Sequence, residues 1–132
     1  PLIACAIGKN SCSSGLIKKS KEFIVNVPPS ELKTKIYYCG FHSGYQVDKF
    51  KETGLTPLAA RKVKAPFIGE CLAHMECKVM QVIETGDKNL FIGEVIEAYA
   101  DEALVKGEWK VGYAKGEFPR KVYATRFGTS QI

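Results

Sequence analysis

Leu2 to Ile7 is a continuous apolar run of strand length, and Phe23 to Val27 is a second, ended by Pro28-Pro29. Both have the pattern of buried strands. Between them, Leu16 and Ile17 with the neighbouring lysines predict a short helix from Leu16 to Lys21 whose apolar side packs inward. Pro29-Ser30-Glu31 opens another helical stretch through Leu32, Ile36 and Tyr37, and Gly40 stands where a helix end is expected. The opening order is therefore strand, helix, strand, helix.

Further along, Val47 to Glu52 spaces Val47 and Phe50 three apart among charged residues, which predicts a short surface helix closed by Gly54. Thr56 to Pro66, bounded by two prolines and carrying several basic residues, predicts an ordered connection rather than a regular element. The strongest β signal follows. Ala73 to Glu84 places Met75, Cys77, Val79 and Ile83 on one side of a strand, and Leu90 to Tyr99 is rich in apolar and β-branched residues. The polar stretch Thr85-Gly86-Asp87-Lys88-Asn89 between them has the chemistry of a hairpin turn. Asp101 to Gly116 is polar and irregular around Trp109, and Lys121 to Phe127 supplies a candidate last strand. The expected fold is mainly β with short helices.

Length and composition place this pattern in one domain covering residues 1–132, large enough to bury roughly 65–70% of its unfolded surface around one core. Hydrophobic residues make up 45% and charged residues 25%, as in ordinary globular proteins, and no apolar run approaches the ~20 residues of a membrane span. With no secretory pattern at the start, a cytoplasmic location without membrane association is the default expectation. Cys5, Cys12, Cys39, Cys71 and Cys77 are odd in number and lack the close pairs of a zinc site or redox dithiol, so neither a metal nor a disulfide framework is expected. Cys5 and Cys77 sit within strand patterns as small hydrophobes, while Cys12 and Cys39 border polar loops. The net charge of +5 raises nucleic acid as a partner. Because Lys18-Lys19-Lys21 and Arg61-Lys62-Lys64 alternate with apolar residues as solvated faces do, a basic nucleic-acid-binding barrel rests on charge alone.

The junction from Gly8 to Ser14 carries the most chemistry. Lys9, Asn10, Ser11, Ser13 and Ser14 place a cation and several short donors where a strand gives way to a turn and a helix start. Free backbone N–H groups at such a start bind anions, so the stretch has the makings of a phosphate cradle. A cap supplied to the helix by Ser13 or Ser14 is the structural alternative.

Several separated stretches resemble one family. They are the run from Pro1 through Gly8-Lys9-Asn10-Ser11 to Lys21-Glu22-Phe23-Ile24-Val25-Asn26-Val27, then Ser43-Gly44 with Asp48-Lys49-Phe50, Val63-Lys64-Ala65-Pro66, Glu70-Cys71 with Met75-Glu76-Cys77, and Gly86-Asp87 leading to Leu90-Phe91-Ile92-Gly93-Glu94-Val95. In order and spacing, over Pro1 to about Tyr99, they resemble the flavin reductase-like FMN-binding proteins with a split β-barrel, flavoredoxins and archaeal ferric reductases among them.

The resemblance implies a non-covalent FMN near a homodimer interface, with its phosphate on the turn formed by Gly8, Lys9, Asn10, Ser11, Ser13 and Ser14. Lys9 would pair with the phosphate charge, Ser11 and Ser13 would donate hydroxyls, and Asn10 would add a backbone or amide contact. It further implies a flavin or ferric reductase moving electrons from NADH or NADPH through FMN to a small-molecule or protein acceptor, the flavin carrying the hard chemistry. A flavoredoxin-like carrier with little nicotinamide activity is the alternative. No acid–base pair is required, in keeping with only two histidines. His74 begins a strand pattern and is expected to be structural, whereas His42, beside Ser43-Gly44, is a candidate for the pocket rim along with Ser43 and Lys88. Lys88 stands where many relatives carry a histidine able to approach the nicotinamide, and Cys12 where they carry a larger or more polar residue. Relatives also begin with strands ahead of the segment equivalent to Pro1, so an N-terminally truncated domain is expected.

Overall fold

The computed structural model describes residues 1–102. Its main sheet has four antiparallel strands in the order β1-β6-β5-β2, where β1 is Leu2–Gly8, β2 is Glu22–Val27, β5 is Ala73–Thr85 and β6 is Lys88–Ala100. A second sheet pairs β3, Pro57–Leu58, with β4, Phe67–Ile68. Three helices complete the described part: α1, Cys12–Ser20; α2, Lys33–Phe41, preceded by a 3-10 turn at Ser30–Leu32; and α3, Lys49–Thr53. The expected mainly β architecture, opening strand, helix, strand, helix, is what forms. The irregular stretch around Trp109 and the strand expected at Lys121 to Phe127 lie outside the described residues, apart from its first two positions.

Two apolar clusters hold these elements. Cys5, Ile7, Ile17, Phe23, Cys77 and Phe91 bury one face of the main sheet beneath α1. Leu32, Ile36, Leu55, Ile68 and Cys71 join α2 to the small sheet. Cys5, Cys71 and Cys77 thus serve as core residues, and all five cysteines are free thiols.

The long hairpin departs from the expected phase. Between Val79 and Gln81, β5 advances two residues while β6 advances one, from Gly93 to Ile92. That extra residue inverts the side-chain alternation, because strand periodicity is two. Cys77 and Val79 face the core before the bulge and Val82 after it, leaving Ile83 at 41% exposure. Ile83 therefore does not share the side of Cys77. A second irregularity between Glu76 and Cys77 inserts a residue in β6 instead, and such bulges bend and twist a sheet toward a half-barrel.

Helix ends supply the other corrections. α1 begins at Cys12, four residues earlier than the apolar pattern suggests, and its cap is Ser11 rather than Ser13 or Ser14. Gly40 lies inside α2, which runs on to Phe41. There Phe41 stacks on Tyr37 and His42 on Tyr38, aromatic pairs four apart that favour one more helical residue. Gly54 closes α3 as expected, at φ 67°, a left-handed conformation that glycine adopts without penalty.

Candidate functional site

The turn between β1 and α1 is organised by Ser11. Its backbone is extended and its Oγ accepts from the Ser14 amide at 3.1 Å, capping the helix, while its hydroxyl donates to the Gly8 carbonyl at 2.9 Å. The Ser11 hydroxyl is thereby committed to the turn's own geometry. Ser14 points inward: it is fully buried, and its Oγ accepts from Asn89 Nδ2 at 2.8 Å. Ser13 is buried as well, whereas Asn10 is exposed and Lys9 and Cys12 are half-buried. Solvent therefore meets this junction through Lys9, Asn10 and the start of α1. The first turn of α1 has no acidic residue and its last has Lys18 and Lys19. The amide end of the helix thus keeps its positive potential, the arrangement that favours an anion there.

The tip of the long hairpin abuts this turn. The Lys9 amide donates to the Asp87 carbonyl at 2.9 Å, and Lys88 pairs in the ladder with Gly8. Charges accompany the backbone contact. Lys18 Nζ donates to Glu84 Oε1 at 2.8 Å, and Lys9 Nζ lies 3.7 Å from the other oxygen of the same carboxylate. The Lys18 hydrogen bond and the charges of both lysines hold the Glu84 carboxyl below its usual range. Lys88 Nζ lies 3.1 Å from Asp87, whose carboxyl its hydrogen bond and charge likewise depress.

Beside the helix start an open cleft of about 480 Å³ runs between Cys12 and Leu16 of α1 and residues 44–49. That is a size suited to a flat organic ligand. Gly15 lets this loop come near, since a Cβ there would lie 3.3 Å from the Tyr45 hydroxyl oxygen. Lys49, on the opposite wall, donates to the Cys39 carbonyl at 2.6 Å. His42 and Ser43 lie just before this lining: His42 is exposed, stacked 3.9 Å over Tyr38, with Nδ1 2.9 Å from the Tyr38 carbonyl oxygen. Lys88 belongs to the hairpin tip rather than to the cleft wall.

A buried polar cluster supports the sheet from below. His74 Nδ1 is 2.9 Å from Asn26 Oδ1, which also accepts from the Ile68 amide at 3.0 Å. Burial holds the His74 imidazolium pKa below its ordinary value, and the ring packs between Phe67 and Tyr99. Glu76 is fully buried and accepts from three consecutive amides, Arg61, Lys62 and Val63, at 2.7–3.1 Å. Burial alone would raise its carboxyl, but these amides outweigh burial and lower it. Tyr99, raised by burial and by the nearby Glu76 carboxylate, lies beneath the Arg61 guanidinium at 4.5 Å. His74 is structural, as expected. Glu76, Asn26 and Asn89 were not expected as organising residues, because their partners lie 13 to 75 residues away. No cluster of His, Cys, Asp and Glu suited to a metal occurs among the described residues, and no described helix is long and apolar enough to cross a membrane.

The fold has counterparts among known proteins. Residues 1–121 match the family described as Flavin reductase like domain, and the chain belongs to it. The structure is similar to the flavoredoxin of Desulfovibrio vulgaris (Miyazaki F), with a TM-score of 0.73 and 32% identity over 78% of this chain and 55% of that one. It is similar to the FMN-binding protein from Thermus thermophilus with bound p-hydroxybenzaldehyde, with a TM-score of 0.72 and 27% identity over 79% of this chain and 56% of that one. It is also similar to the NADH:FAD oxidoreductase SgcE6 of Streptomyces globisporus, with a TM-score of 0.68 and 27% identity over 78% and 60% of the two chains. The curled antiparallel sheet is that of the split barrel. The chain spans 63% and 62% of two curated relatives that it matches at 38% and 36% identity.

Proposed function

We propose that this chain is the flavin-binding part of an FMN-dependent oxidoreductase, with the flavin phosphate held at the start of α1 and the ring system in the adjoining cleft. The observation that carries the reading is the Ser11-capped helix start, free of acidic residues in its first turn, with half-buried Lys9 and exposed Asn10 beside it. Its fit to a phosphate monoester is chemical: a lysine and helix amides supply charge-assisted hydrogen bonds, roughly twice as strong as neutral ones. Lys9 and Asn10 bind, Ser11 shapes the turn, and Ser14 with Asn89 fixes the helix start from beneath. FMN held by Lys9, Asn10 and the helix start would supply the redox chemistry, serving as acceptor for hydride from a nicotinamide and as donor of electrons to a further acceptor. The protein's part is to orient the flavin and to leave one face of the cleft open to the donor. Similarity to an NADH:FAD oxidoreductase supports the nicotinamide as that donor.

The test is titration of the purified chain with FMN and with riboflavin, followed by absorbance and fluorescence. FMN should bind more tightly, and Lys9→Ala should weaken FMN by about 1–3 kcal/mol while leaving riboflavin unchanged. Equal affinities for both flavins in the unaltered chain would defeat the phosphate assignment.

The placement of Lys88 favours a second reading. Where many relatives carry a histidine, this chain has a lysine held by Asp87. A flavoredoxin-like carrier that exchanges electrons with another protein has no need of that imidazole. Stopped-flow mixing of the FMN-loaded chain with NADH or NADPH separates the two, since rapid saturable bleaching belongs only to the reductase. A homodimer forms part of both readings and is checked by sedimentation.

A further inference from the structure

Among the described residues Glu84 is the carboxylate that both Lys9, in the phosphate turn, and Lys18, at the far end of α1, contact, and the two contacts are unequal. Lys18 makes a 2.8 Å hydrogen bond to Oε1, whereas Lys9 stands 3.7 Å from Oε2, beyond good hydrogen-bonding distance. Lys18 comes from the last turn of α1 and Glu84 from the exposed end of β5, so the first contact ties helix to hairpin. Lys9 only leans on that tie. It can turn to an incoming anion without stranding Glu84, which keeps its bond to Lys18. The carboxylate, however, does not leave with the lysine. It remains as a fixed negative charge beside whatever Lys9 holds, and the second nearby carboxylate, Asp87, is engaged with Lys88.

From this geometry we infer that Glu84 is a built-in counter-charge that weakens the grip of Lys9 on a phosphate monoester, selectively lowering affinity for phosphorylated over unphosphorylated flavin. The inference rests on the phosphate assignment above and adds a device that sets how readily the flavin exchanges. An arrangement built only for retention would leave Lys9 unopposed. Here its charge is contested whenever the site is empty, and the bound phosphate meets repulsion from Glu84 whenever it is full. Exposed charge pairs of this kind are worth little individually, so the expected effect is modest and salt-dependent.

The experiment is a thermodynamic cycle on the full chain, with FMN and riboflavin as probes, at low and at high salt. Glu84→Gln should tighten FMN about two- to five-fold at low salt and leave riboflavin unchanged. In a Lys9→Ala background the same substitution should tighten FMN less, keeping only the part due to direct repulsion of the phosphate, and an undiminished effect would overturn the action of Glu84 on the grip of Lys9. If Glu84→Gln leaves FMN affinity unaltered or weakens it while Lys9→Ala still weakens FMN, the counter-charge is overturned and the phosphate assignment stands. Equal tightening of FMN and riboflavin also overturns it, because the effect then lies at the ring. Unchanged FMN affinity in Lys9→Ala removes the phosphate assignment and the counter-charge together. Glu84 is exposed, so folding is not at stake, and thermal melts of each variant verify this.

Discussion

Asn89 Nδ2 donates to Ser14 Oγ at 2.8 Å, joining the second residue of β6 to the first turn of α1 across 75 residues of sequence. Both side chains are essentially inaccessible to solvent, and the side-chain oxygen Oδ1 of Asn89 has no hydrogen-bond partner. The helix start that faces solvent through Lys9 and Asn10 is thus positioned from inside by a bond that any ligand would never touch. Ser14→Ala or Asn89→Ala should each destabilise the fold by about 1–3 kcal/mol, since each strands a buried polar partner. The double variant should cost less than the sum, which urea titrations of the four proteins would measure.

Gly93 is required by packing. A Cβ there would lie 2.5 Å from Cζ and 2.6 Å from Cε1 of Phe23, a core ring whose displacement would disturb Cys77 as well. Gly93→Ala should cost roughly 1–3 kcal/mol by overpacking. Combining it with Phe23→Leu should recover part of that loss relative to the sum of the single changes, and additive melting shifts would refute the steric account.

Acid should unfold this domain in two stages of the same sign. His74 has a folded pKa below its ordinary 6.5 and Glu76 one below its ordinary 4.5, so in each case the unfolded chain binds more protons than the native one. Stability is therefore complete above the ordinary value and falls as the pH drops toward the folded one, first through His74 and then through Glu76. Urea midpoints measured from neutral pH to pH 4 should fall, and His74→Gln should flatten the first part. Glu76→Gln should cost about 1.5–3 kcal/mol at neutral pH, because a side chain that is no longer an anion cannot satisfy three amides equally.

Thiol reactivity should divide the five cysteines by burial. Cys5, pushed up to about 11, and Cys71 and Cys77, each pushed up to about 12, owe the shift mainly to burial and are core residues. Cys12 and Cys39 are only half-buried. A thiol reagent should modify at most these two in the native protein and all five in urea, with peptide mapping to identify them. FMN should protect Cys12, which lines the cleft, if the ring system lies there.

Much of the fold was legible along the chain, because apolar runs and turn chemistry act locally. β1, β2, the long hairpin around Gly86-Asp87 and the glycine that closes α3 follow from neighbouring residues, whereas β3, within the Thr56 to Pro66 stretch expected to hold no regular element, forms only by pairing with β4. The two departures have different causes, one in the pairing of distant strands and one in a local cap. Ile83 faces solvent because of a register change that no single strand encodes, and α1 starts at Cys12 because Ser11 finds both the Gly8 carbonyl and the Ser14 amide within the turn. Of the site, the turn from Gly8 to Ser14 stood out as a cluster of donors, yet which of those donors face outward was hidden.

By itself the sequence determined the family and the mainly β architecture, and it singled out Gly8 to Ser14 as a candidate anion site, since each depends on residue type and on order along the chain. Only the tertiary structure decided that Ser14 belongs to the interior, that Asn89 and Glu76 organise what surrounds them, and that Glu84 contests the charge of Lys9. The reason is physical: burial and pairing arise between residues 13 to 75 positions apart, and separation along the chain carries no trace of them until the sheet brings them together.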